Sequence, residues 1–221
     1  MSDDEDDDAI FSPAVQQFIN DQIKDYLGND LTLKYNDDSV YTLTSAELCR
    51  LCRNEIKPQY IEQVMDVFQT YERIQIEDAG EIVGYLICEN RIAEGGAWKK
   101  LHGFMGTLHL ICTKYTGKKL GTLLMTAFLL AMNQKRYDHI LLGASNGRAN
   151  KSAYALYRKF GFAPRADLQD CVGDDSVAMY LNLAAVDGAT IMGPLRKEMP
   201  NPRQIQDVQT RRTKKIKKGQ A

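Results

Sequence analysis

The sequence predicts an α/β protein, and three observations carry that prediction. From Thr107 to Thr113 the residues Thr107, His109, Ile111 and Thr113 alternate with Leu108, Leu110 and Cys112, as a strand with two differently surrounded faces requires. From Leu120 to Lys135 the period changes to that of a helix. Leu123, Leu124, Ala127, Phe128, Leu130 and Ala131 cover most of its surface and leave a narrow polar stripe at Thr122, Thr126 and Asn133, the pattern of a helix buried almost all round. The strand-to-helix order then repeats, with His139 to Ala144 reading as a buried strand before a second helix.

The other elements follow in order. Residues 1 to 11 read as a solvated acidic tail, after which Ser12-Pro13 gives an N-cap and first-turn proline for a helix to about Leu27, closed by Gly28-Asn29. Leu31 to Tyr35 and Val40 to Thr44 are strand-like runs around Asn36-Asp37-Asp38, a predicted hairpin. Thr44 or Ser45 caps a helix from about Ala46, Lys57-Pro58 breaks it, and Tyr60 to Tyr71 is again helical. Arg73 to Ile76 and Ile82 to Cys88 form two strands joined through Asp78-Ala79-Gly80, and Ala93 to Lys100, with Gly95-Gly96, is a loop. After the buried strand, Ser145 to Ala149 is a polar loop and Asn150 an N-cap. Ala153, Leu156 and Phe160 then share an apolar face, and Gly161 ends the helix in a left-handed conformation. Leu168 to Val172 and Val177 to Leu183 are predicted to close a hairpin across Gly173-Asp174-Asp175. Beyond Leu183, Pro194, Pro200 and Pro202 punctuate a polar segment expected to be irregular.

At 221 residues one domain with appendages is the expected plan. The net charge of -1 hides an asymmetry, with acid from Asp3 to Asp8 and base from Arg211 to Lys218. Five cysteines at irregular spacing and an acidic beginning unlike a signal peptide point to a reduced, intracellular, cytoplasmic setting. The RRTKKIKK run has three readings: a nuclear localisation signal, a contact for nucleic acid or an acidic partner, and a solvated tail. No apolar run approaches transmembrane length. Cys49 and Cys52 form a C-x-x-C pair, but on a helix they share a face, and no second pair follows at zinc-ribbon spacing, so no metal is expected.

Between strand and central helix, Thr116-Gly117-Lys118-Lys119-Leu120-Gly121 puts small residues where N–H groups at a helix N-terminus reach a phosphate, aided by the helix dipole and by the charges of Lys118 and Lys119. This turn is the candidate pyrophosphate site. The stretch NKSAYALYRKFGF, Asn150 to Phe162, resembles the closing motif of the GNAT superfamily of N-acetyltransferases: an opening Asn, Ala three residues on, Tyr seven on, and a terminal Gly-Phe. The turn resembles the same family's acetyl-CoA pyrophosphate loop. Thr116 stands where Arg or Gln is usual and Lys119 where the first glycine is usual, while Gly121 keeps the last small position. The resemblance covers about residues 30 to 184.

The resemblance implies a mixed, mostly antiparallel sheet of six to seven strands flanked by helices. It also implies acetyl-CoA as co-substrate, held by Ile111, Thr113, the turn Thr116 to Thr122, Asn150 and Tyr157, with direct attack of an amine on the thioester in a ternary complex. The nascent oxyanion is assigned to a backbone N–H near Ile111. Tyr157 is the candidate general acid, because a thiol of pKa about 8.5 otherwise leaves unprotonated; its alternative is a core tyrosine. Relatives place Glu or His near what is here Met105 or Thr107, and neither of these can act as base. His109, on the face of Thr107, is the candidate base, directly or through water, with a hydrogen-bonded interior histidine as the alternative. The resemblance leaves the acceptor open among protein N-termini, lysine side chains, polyamines, amino sugars and arylalkylamines. A rival reading keeps the fold without the chemistry, as a module binding a partner through its charged tails.

Overall fold

The computed structural model describes residues 5–27, 30–36, 43–52, 56–67, 71–92, 101–115, 117–145, 151–172 and 175–199. The helices are α1 (Glu5–Leu27), α2 (Ser45–Leu51), α3 (Pro58–Val67), α4 (Leu120–Gln134), α5 (Lys151–Lys159) and α6 (Gly188–Glu198). The strands are β1 (Leu31–Tyr35), β2 (Glu72–Asp78), β3 (Glu81–Ile92), β4 (Phe104–Thr113), β5 (His139–Ser145), β6 (Ala163–Pro164) and β7 (Ser176–Asn182). They form one seven-stranded sheet in the order β1-β2-β3-β4-β5-β7-β6. Every pairing is antiparallel except β4 with β5, which α4 joins as a crossover.

Two layers cover the sheet. On one face Ile19 and Ile23 of α1, Leu124 and Phe128 of α4, and Ile191 and Leu195 of α6 pack with Ile74, Ile76 and Leu86 of the strands. On the other, Leu48 of α2 and Ile61 and Val64 of α3 pack with Tyr85, Ile87, Leu110 and Cys112. A smaller cluster of Leu101, Met105, Leu141, Leu168 and Ala178 lies apart from these two.

Local chemistry explains the elements that match expectation. Thr44 caps α2 and Glu47 returns the bond to the Thr44 N–H, a full capping box. Gly161 takes φ 86° after α5. Four expectations are corrected. The first helix begins at Glu5, not Ser12, and Pro13 lies inside the helix rather than in its first turn. β1 pairs with β2 rather than with a strand at Val40 to Thr44; residues 37–42 lie outside the described residues, and Leu43 and Thr44 are not in a strand. Leu168 to Val172 is not a strand, because Ala166–Cys171 is a 3-10 turn. Gln169 instead serves β7 with its side chain, donating to Ser176 O at 2.7 Å and accepting from Ala178 N–H at 3.2 Å.

The fourth correction concerns the segment after Leu183. Asp187 caps α6 through the Thr190 N–H at 2.7 Å, and Ile191, Met192 and Leu195 bury one face of that helix. The narrow polar stripe of α4 is consequently covered, as a helix buried almost all round requires. Thr122 and Thr126 are buried, and Asn133 donates to Val186 O at 3.2 Å. Against the expected reduced setting, Cys52 and Cys112 form a disulfide tying the end of α2 to β4, while Cys49, Cys88 and Cys171 are not disulfide-bonded. The loops at 93–100 and 146–149 and the basic run after residue 210 lie outside the described residues.

Candidate active site

The site grows from an irregularity in β4. Ile87 pairs with Leu110 but Cys88 pairs with Leu108, so His109 has no opposite number and forms a β-bulge. An extra residue shifts the pleat. Leu108 joins the α1/α4 core, whereas Leu110 and Cys112 join the α2/α3 core, although simple alternation puts all three on one face. The parallel pairing of β4 with β5 also stops there, running only from Met105 opposite His139 to Leu108 opposite Leu142. Beyond the bulge the two strands part, and β5 continues alongside β7 to Ser145.

The parting leaves backbone groups facing a gap. Lys114 N–H donates to Val83 O at 2.9 Å, which sets the alternation of the β3–β4 ladder. In an antiparallel pair, residues between bonded pairs turn their N–H and C=O outward, so Ile111 and Thr113 aim theirs away from β3, toward the side β5 has left. These are the two strand residues named from sequence.

At the far end of the gap α4 begins without a cap. Its N-cap, Lys119, makes no side-chain capping bond, and no acidic residue lies in the first turn, so the N–H groups there keep their donor capacity. Lys119 adopts the left-handed conformation (φ 63°, ψ 8°) and Gly117 does so at φ 74°, so the lysine takes up a backbone geometry that glycine enters most readily. Its ammonium lies 3.6 Å from Glu198 of α6. The Lys118 ammonium sits 4.0 Å over the Tyr115 ring. Leu120 and Thr122 are buried, and Thr122 donates to Glu198 at 2.8 Å. A Cβ on Gly121 would lie 3.2 Å from Leu156 of α5, so glycine permits the close approach of the two helices. Thr116 and Asn150 lie outside the described residues.

Tyr157, on α5, is buried with its ring tilted against Phe162 at 6.1 Å between centroids. Burial first, and then the charge of Tyr60, push its phenol well above the ordinary value, so it holds its proton at neutral pH. His109 is embedded in a cluster of its own. Its Nε2 meets Glu89 Oε2 at 2.9 Å, its Nδ1 lies 3.3 Å from the Tyr60 hydroxyl, and its ring stacks on Tyr71 at 5.8 Å. Tyr60 also donates to His109 O at 3.2 Å. The sequence reading named His109 but not Glu89, Tyr60 or Tyr71. On β3 Glu89 stands opposite Thr107, one step from the bulge, a register that no local sequence pattern carries. Among the described residues no His, Cys, Asp and Glu group is arranged to hold a metal, and no helix is long and apolar enough to cross a membrane.

Comparison with known proteins finds a family model that matches part of the chain, and solved structures that share its fold. Residues 71–164 match the family model described as acetyltransferase (GNAT) domain. A putative GNAT-family acetyltransferase from Desulfovibrio desulfuricans aligns at 14% identity and TM-score 0.54, covering 70% of this chain and 99% of its own. An acetyltransferase from Streptococcus agalactiae 2603 aligns at 17% identity and TM-score 0.50, covering 69% of this chain and 98% of its own. A GNAT-family acetyltransferase from Elizabethkingia anophelis, solved with acetyl-CoA bound, aligns at 16% identity and TM-score 0.49 over 70% of this chain and 99% of its own. No curated protein matches the chain.

Proposed function

We propose, from the premise that this chain carries a GNAT acetyltransferase domain over residues 71–164, that it moves an acetyl group from acetyl-CoA to a primary amine by direct attack in a ternary complex. The observation that carries the reading is the gap between β4 and β5, with outward-facing Ile111 and Thr113 at one end and the uncapped α4 at the other. The residues fit the co-substrate. Free N–H groups at a helix N-terminus suit a pyrophosphate, and strand N–H groups facing an open edge suit an amide-bearing pantetheine arm.

Each step then has a group to perform it. The Ile111 N–H faces the gap, where it stabilises the thioester oxygen as negative charge develops. His109 takes the proton lost by the amine, and Glu89 pairs with the imidazolium that results. Tyr157 gives its proton to the departing thiolate, a transfer favoured by a fully protonated phenol beside a newly charged sulfur.

The test has two parts. Calorimetric titration with acetyl-CoA should show binding, and Gly121→Val should weaken it by about tenfold, the effect of ~1.4 kcal/mol of crowding at Leu156. Unchanged affinity in that variant would remove the turn from the site. Thiol release with acetyl-CoA and a panel comprising a tetrapeptide with a free N-terminus, Nα-acetyl-lysine, spermidine, glucosamine and phenylethylamine should then identify the acceptor class. Binding without turnover on any of them would favour the non-catalytic module.

A further inference from the structure

The geometry points to Tyr60 as a catalytic residue that carries the amine proton to His109, with Glu89 as the positioning residue that makes His109 able to receive it. The inference rests on the acetyl-transfer reading and adds two residues to it.

The argument begins with the two nitrogens of His109. A carboxylate only accepts hydrogen bonds, so Glu89 Oε2 at 2.9 Å fixes the hydrogen on Nε2 and leaves the lone pair on Nδ1. The basic nitrogen therefore faces the Tyr60 hydroxyl, 3.3 Å away, whose one proton has the His109 carbonyl oxygen at 3.2 Å as its other acceptor. Tyr71 stacks flat on the ring, 14° from parallel, and holds it in that plane. An amine arriving from solvent consequently meets the phenol of Tyr60 before it meets the imidazole. Tyr60 is the member of the set that reaches solvent, at 37% exposed, while the Glu89 and His109 side chains are 10% and 16% exposed.

Tyr60 cannot act as the base alone. Burial and then the Glu89 charge push its phenol up, so at neutral pH it is a donor with no proton deficit. It can, however, pass a proton through. As the amine nitrogen bonds to the thioester carbon and the carbon–sulfur bond breaks, an amine proton moves to the Tyr60 oxygen and the Tyr60 hydroxyl proton moves to His109 Nδ1. The thiolate takes the Tyr157 proton. The imidazolium, paired with Glu89, and the Tyr157 phenolate then return to neutrality through solvent, and no proton is gained or lost overall. The titratable and charged groups around the relay include Glu89 from β3, His109 from β4, Tyr71 before β2 and Tyr157 from α5, whose phenol feels the charge of Tyr60, and Arg73 of β2, which bonds to Tyr85 of β3 on the same side of the sheet.

The test is a double-mutant cycle followed across pH, using whichever amine of the panel the wild-type protein acetylates fastest. Tyr60→Phe should lower kcat/KM at neutral pH by about 10²-fold, the lower end of general-base catalysis. Its residual rate should climb with pH as the amine's own ionisation supplies free base. Calorimetric acetyl-CoA affinity and the melting temperature should stay at wild-type values, which a merely structural tyrosine would not permit. His109→Gln should produce a similar loss, and Tyr60→Phe with His109→Gln together should be no slower than the worse single variant. Glu89→Gln should shift the acid limb of the pH profile while acetyl-CoA affinity is kept. Full turnover with a wild-type pH profile in Tyr60→Phe would overturn the relay, and so would losses that multiply in the double variant. If the wild-type protein acetylates none of the panel amines, the acetyl-transfer reading fails with it. An active wild type with an unaffected Tyr60→Phe sinks the relay alone.

Discussion

The two faces of the central sheet are built on different terms. Toward α1, α4 and α6 the strands present Ile74, Ile76, Leu86 and Cys88, and the one buried acid there is saturated. Glu72, 2% exposed, accepts from Asn90 at 2.7 Å and from Tyr35, Asn36 and Lys135. Burial pushes its carboxyl up, but the Lys135 charge and these hydrogen bonds outweigh that and hold it low. Toward α2 and α3 the strands also present Tyr85, Glu89 and His109, and Gln75 and Thr107 are buried within the sheet. The Gln75 Oε1 and Thr107 Oγ1 atoms have no hydrogen-bond partner among the described residues. Asn90 Oδ1 and Thr126 Oγ1 on the α4 side are without a partner among the described residues in the same way, so the two faces differ not in orphaned oxygens but in the Glu89, His109 and Tyr60 cluster that only the α2/α3 side carries.

If that division is right, substitutions on the two sides should fail in different measurements. The largest expected effect is on rate. Although Tyr157 packs with the α4-side cluster and so crosses the division, Tyr157→Phe preserves the ring and removes only the proton, so kcat should fall by about 10²–10⁴-fold while acetyl-CoA affinity and melting temperature hold. Full turnover, measured where the chemical step limits, would leave Tyr157 as part of the wall. On the holding face the loss should be stability. Phe128, fully buried on α4, should cost about 3–5 kcal/mol when cut to alanine, read as a lower denaturant midpoint. A smaller cost would mean that this layer collapses around the cavity.

The disulfide sharpens the comparison, because it staples the reactive face. Cys52 and Cys112 are 60 residues apart, so Cys52→Ala, or reduction, should cost about 2–4 kcal/mol. Equal melting curves for oxidised and reduced protein would show that α2 is held by Leu48 and Leu51 alone. The smallest effect belongs to Glu198. Burial raises its carboxyl, but bonds from Lys159 and Thr122 and the charges of Lys159 and Lys119 hold it low overall. A carboxyl lowered on folding stabilises fully above its unfolded value, about 4.3, and loses that contribution as pH falls through the folded value. From pH 5 to pH 3 the melting temperature of Glu198→Gln should therefore fall less steeply than that of the wild type. Parallel slopes would mean that the contact of α6 with the start of α4 is electrostatically idle.

What could be read in advance divides along similar lines. The holding face is written in local patterns: the apolar run of α4, the capping box at Thr44 and Glu47, and Gly161 after α5 all act within a few residues. α6 was legible in principle from Asp187 and the spacing of Ile191, Met192 and Leu195, but prolines and nearby basic residues masked it. The reactive face depends on long-range placement. Nothing local brings Glu89 to His109 across 20 positions, Tyr60 to His109 across 49, or Cys52 to Cys112 across 60. Leu168 to Val172 misled for a related reason, since the Gln169 side chain takes on β7 backbone bonding that a neighbouring strand was expected to provide.

The bulge at His109 sets the reading frame of the strand that follows it. Remove one residue there and the downstream half of β4 inverts: Leu110 and Cys112 turn to the α4 layer, and Ile111 turns toward α2. The sulfur of Cys112 would then point away from Cys52. A deletion of His109 should therefore be far more damaging than His109→Gln, which hydrogen exchange across Leu110 to Thr113 would register as lost protection in the first and kept protection in the second. Sequence change in this family of strands is thus limited less by which residue occupies a position than by how many positions there are.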